Sequence, residues 1–211
     1  MNLKEIIPEY HSKNICVRNL FLKRLEIAVR LAEPKLKSDS DLRVIDMGCG
    51  EGVLLKLIEE NFKNVKTFGI DIEPNVLELK KFLKAEIKVA DLRYSGFPNG
   101  FFDVVFCLDV LEHFQKLEEP IVEIKRILKK DGFLVTSLPT ENLFYKLGRF
   151  FTTGTVSMEK GPCSPHFYGA KTIENFLCAN DFKIIKKKLL PAIPFLSLFH
   201  IIIFKIKKYA R

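Results

Sequence analysis

The stretch Leu42-Arg43-Val44-Ile45-Asp46-Met47-Gly48-Cys49-Gly50-Glu51-Gly52 constrains this chain more than any other. A short apolar run ends in an acid, three glycines follow at alternate positions, and Val53-Leu54-Leu55-Lys56-Leu57-Ile58 reads as the first turns of a helix. This is a buried strand, a tight turn and a helix start. Glycines there let the backbone adopt positive φ and let a ligand approach without meeting a Cβ. The helix N-terminus behind them offers unpaired N–H groups, so a nucleotide-like ligand is the first expectation. The spacing narrows it. A dinucleotide fingerprint reads G-x-G-x-x-G, whereas this turn reads Gly48-x-Gly50-x-Gly52 behind Asp46. A carboxylate at that point repels a pyrophosphate but pairs with an ammonium.

Val44 to Gly52 closely resembles the first motif of class I S-adenosylmethionine (SAM) methyltransferases. The resemblance implies SAM as cofactor, with Gly48, Cys49, Gly50 and Gly52 passing the methionine moiety and Asp46 near its amino group. Two further strand ends fit. Lys66 to Ile72 is a β-like run ending at Asp71, which lies 23 residues past Gly48 and is placed to accept bonds from both ribose hydroxyls. Glu86 to Leu92 is a third strand with a third terminal acid, Asp91, which the resemblance sets against the adenine amino group. Ile72, Leu92 and Leu108, neighbours at the strand ends, complete the implied cofactor-binding set. Pro74 opens a helix expected through Leu83.

Phe102 to Leu108 is almost uniformly apolar, as a central parallel strand covered on both faces should be. It runs into Asp109-Val110-Leu111-Glu112-His113-Phe114, again close to the family pattern. A helix carrying Ile121, Ile124, Ile127 and Leu128 is expected to end in Lys129-Lys130-Asp131-Gly132, followed by a strand over Phe133–Leu138. Residues 14–37 show a helical period closed by Pro34 and the polar Ser38-Asp39-Ser40-Asp41 linker, with a basic face read as solvated. Residues 140–169 break the strand–helix rhythm and are read as a lid or acceptor-binding segment. Residues 170–179 read as a helix, with Phe182–Leu190 and His200–Lys208 as strands. The expected architecture over residues 1–211 is a single α/β domain with a core at 42–138. It is a Rossmann-like, doubly wound, seven-stranded and mostly parallel sheet. The resemblance implies that residues 170–208 add a helix and an antiparallel hairpin at its edge.

A formal net charge of +8 permits an anionic partner without demanding one. Five scattered cysteines, odd in number and without a C-x-x-C pair, argue for reduced thiols rather than a disulfide framework or zinc site. The N-terminal residues lack the apolar core of a signal peptide, so a cytoplasmic location is expected. The apolar stretch Leu189–Ile206 is interrupted by Pro191, Pro194, His200 and Lys205, which makes it a poor transmembrane helix. It is read as sheet core, with Pro191–Phe199 beside its lysines as an alternative interfacial patch (residues 189–199).

The resemblance implies methyl transfer by in-line displacement to a small acceptor, apolar or lipid-like given the phenylalanine-rich segment. The relatives it points to most closely are quinone-pathway O-methyltransferases. His113 and His166 are the catalytic candidates, because imidazole titrates near neutrality and can take a hydroxyl proton. Asp109, Glu112, His113 and His166 also resemble the metal-binding pattern of some O-methyltransferases; the same run occurs in relatives without metal, and no metal is assigned. RNA as acceptor and a non-catalytic SAM-binding role stay open. An NAD-dependent oxidoreductase is disfavoured by the glycine spacing and Asp46.

Overall fold

A computed structural model of the chain describes residues 15–38, 41–140, 142 and 166–207. The expected lid over 140–169 therefore lies almost wholly outside the described residues. One seven-stranded sheet organises the rest, in the order β3-β2-β1-β4-β5-β7-β6. Its strands are β1 (Leu42–Met47), β2 (Val65–Asp71), β3 (Glu86–Val89), β4 (Phe102–Leu108), β5 (Leu128–Pro139), β6 (Phe182–Leu190) and β7 (Phe199–Ile206). The first five pair in parallel, and β7 runs antiparallel between β5 and β6. The expected doubly wound sheet with its antiparallel hairpin is thus present.

The helices cover both faces. α1 (Ile15–Leu36) and α2 (Val53–Asn61) pack on one side, where Leu25, Ala28, Leu54 and Ile58 meet Val44, Val104, Phe106 and Ile203. On the other side are α3 (Glu118–Ile127) and α4 (Ala170–Ala179), whose Ile121, Ile124, Ile173 and Leu177 meet Ile45, Val105, Cys107 and Ile202. Central β4 is buried on both faces, as its unbroken apolar run requires. Truncating a fully buried ring there, Phe106→Ala for instance, removes about 3–5 kcal/mol. The switch point between β1 and β4, where the strand order reverses, leaves a crevice at the carboxyl ends of the strands.

Three expectations on local structure are corrected. Residues 74–81 form a 3-10 helix rather than a helix through Leu83. β3 stops at Val89, so Asp91 is not a strand residue but the N-cap of a 3-10 turn over Leu92–Tyr94, accepting from the Arg93 amide. β5 begins at Leu128, so the Lys129–Gly132 segment belongs to it rather than to the end of α3; Leu128 pairs with Phe102.

Candidate functional site

Glycine is required at the β1–α2 turn by conformation and by space. Gly48 has φ +86°, and a Cβ there would lie 2.5 Å from Cγ2 of Val110. Gly52 has φ +70°, and its Cβ would meet Leu83 and Leu79. The turn then spends its own donors. Gly48 and Cys49 N–H both donate to the Ile70 carbonyl, at 2.8 and 3.0 Å, and Gly52 N–H donates to the Cys49 carbonyl. Gly50 N–H donates to Oδ2 of Asp71 at 2.9 Å. With the Gly48, Cys49, Gly50 and Gly52 amides committed in this way, few of the turn's donors are left for a phosphate, in line with the glycine spacing, which disfavours a pyrophosphate.

Asp46 is 5% exposed on the α1 face of β1. Burial, and after it the Asp71 carboxylate, push its carboxyl well above the usual carboxylate range, while the Arg24 guanidinium pulls the other way. A ligand ammonium placed there acts in the same sense as Arg24. Burial first, then the charges of Asp46 and Asp71, raise the Cys49 thiol, so Cys49 lines the turn as a neutral group and not as a nucleophile.

Asp71 sits at the tip of β2 with each oxygen engaged once, Oδ2 by Gly50 N–H and Oδ1 by Glu73 N–H at 3.1 Å. Each oxygen keeps a further lone pair, which matches two hydroxyl donors on one ribose. Beside it, Ile72 is 63% exposed and offers an apolar surface to a ring. Asp91 is held differently from expectation. Arg93 Nε and Nη2 donate to its two oxygens, and Arg93 Nη1 reaches Glu119 at 3.2 Å. The Arg93 hydrogen bonds hold the Asp91 carboxyl below its usual range. An amine approaching Asp91 therefore shares it with Arg93, a residue the sequence did not single out.

At the end of β4, Asp109 adopts φ +53°, an uncommon conformation for a non-glycine residue and one found at functional sites. It accepts from the Ser137 hydroxyl at 3.0 Å and forms an ion pair with Arg24. Arg24, on α1, is 3% exposed and stands between the rings of Phe21 and Phe199, at 4.8 and 5.0 Å from their centroids. This corrects the reading of the α1 basic face for Arg24 alone; Arg18, Lys23 and Arg30 are exposed, as expected. The signal was available: Phe21, Arg24, Ala28 and Leu31 fall on one helical stripe, and a charge inside an apolar stripe points into a site.

The residues after Asp109 form a 3-10 turn, Leu111–His113. Asp109 precedes this turn and pairs with Arg24, apart from the Glu112, His113 and His166 with which the resemblance grouped it. Glu112 is fully buried. Its carbonyl accepts from Phe167 N–H at 2.7 Å, and the Tyr168 hydroxyl donates to the Gln115 carbonyl at 2.7 Å. Those bonds return the chain so that the His113 and His166 rings meet edge to face, 4.7 Å between centroids. Ligating atoms of Glu112, His113 and His166 all lie within 4.8 Å of one another.

These parts share one cleft of about 1030 Å³. Asp46, Gly48, Cys49, Gly50, Asp71, Ile72, Asp91, Leu92 and Leu108 line it, and so do His113 and His166; Gly52 alone of the expected residues stands outside the lining. The cleft also takes in Phe21, Arg24, Arg93, Val110, Phe167 and Phe199, which the sequence did not single out as site residues.

A family model described as a methyltransferase domain matches residues 18–187. The chain belongs to this methyltransferase family. The class I resemblance drawn from the glycine turn is borne out, and with it SAM as the cofactor of the family. The domain is 27% identical over 166 residues to a malonyl-[acyl-carrier protein] O-methyltransferase of Acetivibrio thermocellus, covering 72% of this chain and 59% of that protein. It is 25% identical over 124 residues to a ubiquinone biosynthesis O-methyltransferase of Rickettsia prowazekii, covering 54% and 46%. The chain thus spans about half the length of the curated relatives it matches. Its fold is similar to that of the N-methyltransferase NodS of Bradyrhizobium japonicum in complex with S-adenosyl-L-homocysteine. The TM-score is 0.69 at 15% identity, over 98% of this chain and 97% of that one.

Proposed function

We propose that the domain transfers a methyl group from SAM to a small, largely apolar acceptor. The observation that carries this reading is a single cleft lined both by a set of acids and by aromatic rings with two imidazoles. Asp46, Asp71 and Asp91 line it, a set suited to an ammonium, two ribose hydroxyls and an exocyclic amine. Phe21, Phe199 and Phe167 also line it, and so do His113 and His166.

SAM supplies a methyl carbon already made electrophilic by its sulfonium. The protein's work is then to place that carbon in line with the acceptor and to exclude water. Asp71 fixes the ribose, Asp46 and Arg24 balance charge at the methionine end, and the aromatic wall holds the acceptor. For a hydroxyl acceptor, one of the two imidazoles takes the proton that leaves as oxygen attacks.

A second reading is favoured by the Glu112–His113–His166 cluster. One carboxylate with two imidazoles suits a transition-metal dication better than Mg²⁺, since Asp109 is engaged elsewhere. These three residues would hold the cation, which would polarise the acceptor oxygen.

The acceptor reading is tested with isotopically labelled SAM, offered with a panel of phenols and hydroxy acids and separately with RNA. Turnover of a small acceptor should change little between roughly 50 and 200 mM salt; activity confined to RNA and lost steeply over that range would overturn it.

A further inference from the structure

We propose that the turn joining β6 to β7, together with the lysine edge of β6, docks the domain on an anionic lipid bilayer. β6 is the last strand of the sheet, and Lys183, Lys186 and Lys188 are exposed along it. Lys187, by contrast, pairs with Glu174 at 2.5 Å. Lys186 and Lys188 have no carboxylate partner among the described residues. The strand then runs into Ala192-Ile193-Pro194, all exposed, with Ile193 at 44%; Ile184 and Ile185 on the strand are also exposed. Apolar groups at a turn flanked by lysines match a bilayer interface, where apolar atoms enter the acyl boundary and cations meet the headgroups.

The usual account of such an edge is protective. Lysines and a bulge discourage pairing with another strand, and the register shift between Ile184 and Lys186 supplies the bulge. That explains the strand but not the apolar turn beyond it. The turn is also held in place. Leu198 N–H donates to the Leu190 carbonyl at 2.8 Å, and the Ser197 carbonyl accepts from Thr140 Oγ1 and Asn142 Nδ2 at 2.8 and 2.7 Å. Its apolar tip is presented without an ordering cost at binding.

Position links the surface to the cleft. Lys186, Lys188 and Leu190 pair with Ile203, Ile201 and Phe199, so they share a face of the sheet with Phe199, which lines the cleft. Docking through this turn sets the Phe199 side of the cleft beside the lipid, where an apolar acceptor is concentrated. Among the described residues no helix is long and apolar enough to cross a membrane, so the contact is peripheral.

Only this last link rests on the proposed acceptor, and vesicle binding is measured without cofactor or acceptor, so either reading can fail alone. The protein should co-sediment with phosphatidylcholine vesicles that contain phosphatidylglycerol, not with phosphatidylcholine alone, and should be released by roughly 0.5 M salt. Lys186→Glu/Lys188→Glu should weaken vesicle partition by about twentyfold or more, each lysine being worth about fivefold at such a surface. Ile193→Glu should weaken it about tenfold while leaving SAM affinity unchanged. No sedimentation with anionic vesicles at low salt would overturn the proposal, as would partition indifferent to both variants. Binding to an RNA oligonucleotide that falls with the lysine variant, alongside vesicle binding insensitive to Ile193→Glu, would assign the edge to a nucleic acid instead.

Discussion

Asp71→Ala is expected to weaken SAM binding by more than tenfold. The carboxylate does two jobs at once. It receives Gly50 N–H and Glu73 N–H, which ties the glycine turn to the tip of β2, and it keeps one lone pair on each oxygen for the ribose. A hydrogen bond to a charged group contributes about 1.5–3 kcal/mol, and about 1.4 kcal/mol is a factor of ten in affinity. Losing the ribose bonds alone reaches that factor, and a loosened Gly50 adds to it. Asp71→Asn, which keeps one acceptor oxygen, should fall between the two. Titration calorimetry on the folded variants reads the effect; an affinity for SAM unchanged in Asp71→Ala would show that this carboxylate does not hold the ribose.

A larger loss is expected in rate than in binding at the histidine pair. His113→Ala/His166→Ala should lower kcat about a hundredfold or more, the usual contribution of a positioned proton acceptor. SAM affinity should stay within about twofold, because the groups act on the acceptor and not on the cofactor. A double variant that turns over at the wild-type rate would remove both imidazoles from the mechanism. The two roles open to them separate on one addition. If the pair acts as a base, a chelator leaves the wild-type rate unchanged. If Glu112, His113 and His166 hold a cation, chelator abolishes turnover and a transition-metal dication restores it.

The fold was legible because its signals are local and repeated. An apolar run, a turn and an amphipathic helix recur down the chain, and the all-apolar β4 could only be a central strand. Asp46, Asp71 and Asp91 were legible for the same reason: each falls at or just past the end of a strand, and parallel strands end at one edge. What the sequence hid depends on long-range packing. Arg24 lies far from the motifs in sequence and reaches the cleft only because α1 packs over β5 and β7. The bonding of Asp91 to Arg93 was hidden because β3 ends before Asp91 and a 3-10 turn brings the guanidinium back over its own cap. Asp109 shows a third kind of miss. The resemblance grouped it with Glu112, but a positive φ at the end of β4 turns it to Arg24 and Ser137 instead. The metal-like set accordingly loses one carboxylate of the four residues expected.

The glycine turn is the centre of the account. Its amides are given to Ile70, Asp71 and Cys49, and the acids around it favour a cationic amino acid joined to a ribose over a pyrophosphate. Calorimetric titration of the domain with SAM and, separately, with NAD tests that most directly. Saturable binding of SAM, with no heat from NAD at the same concentrations, is the predicted result; binding of NAD without SAM would contradict it.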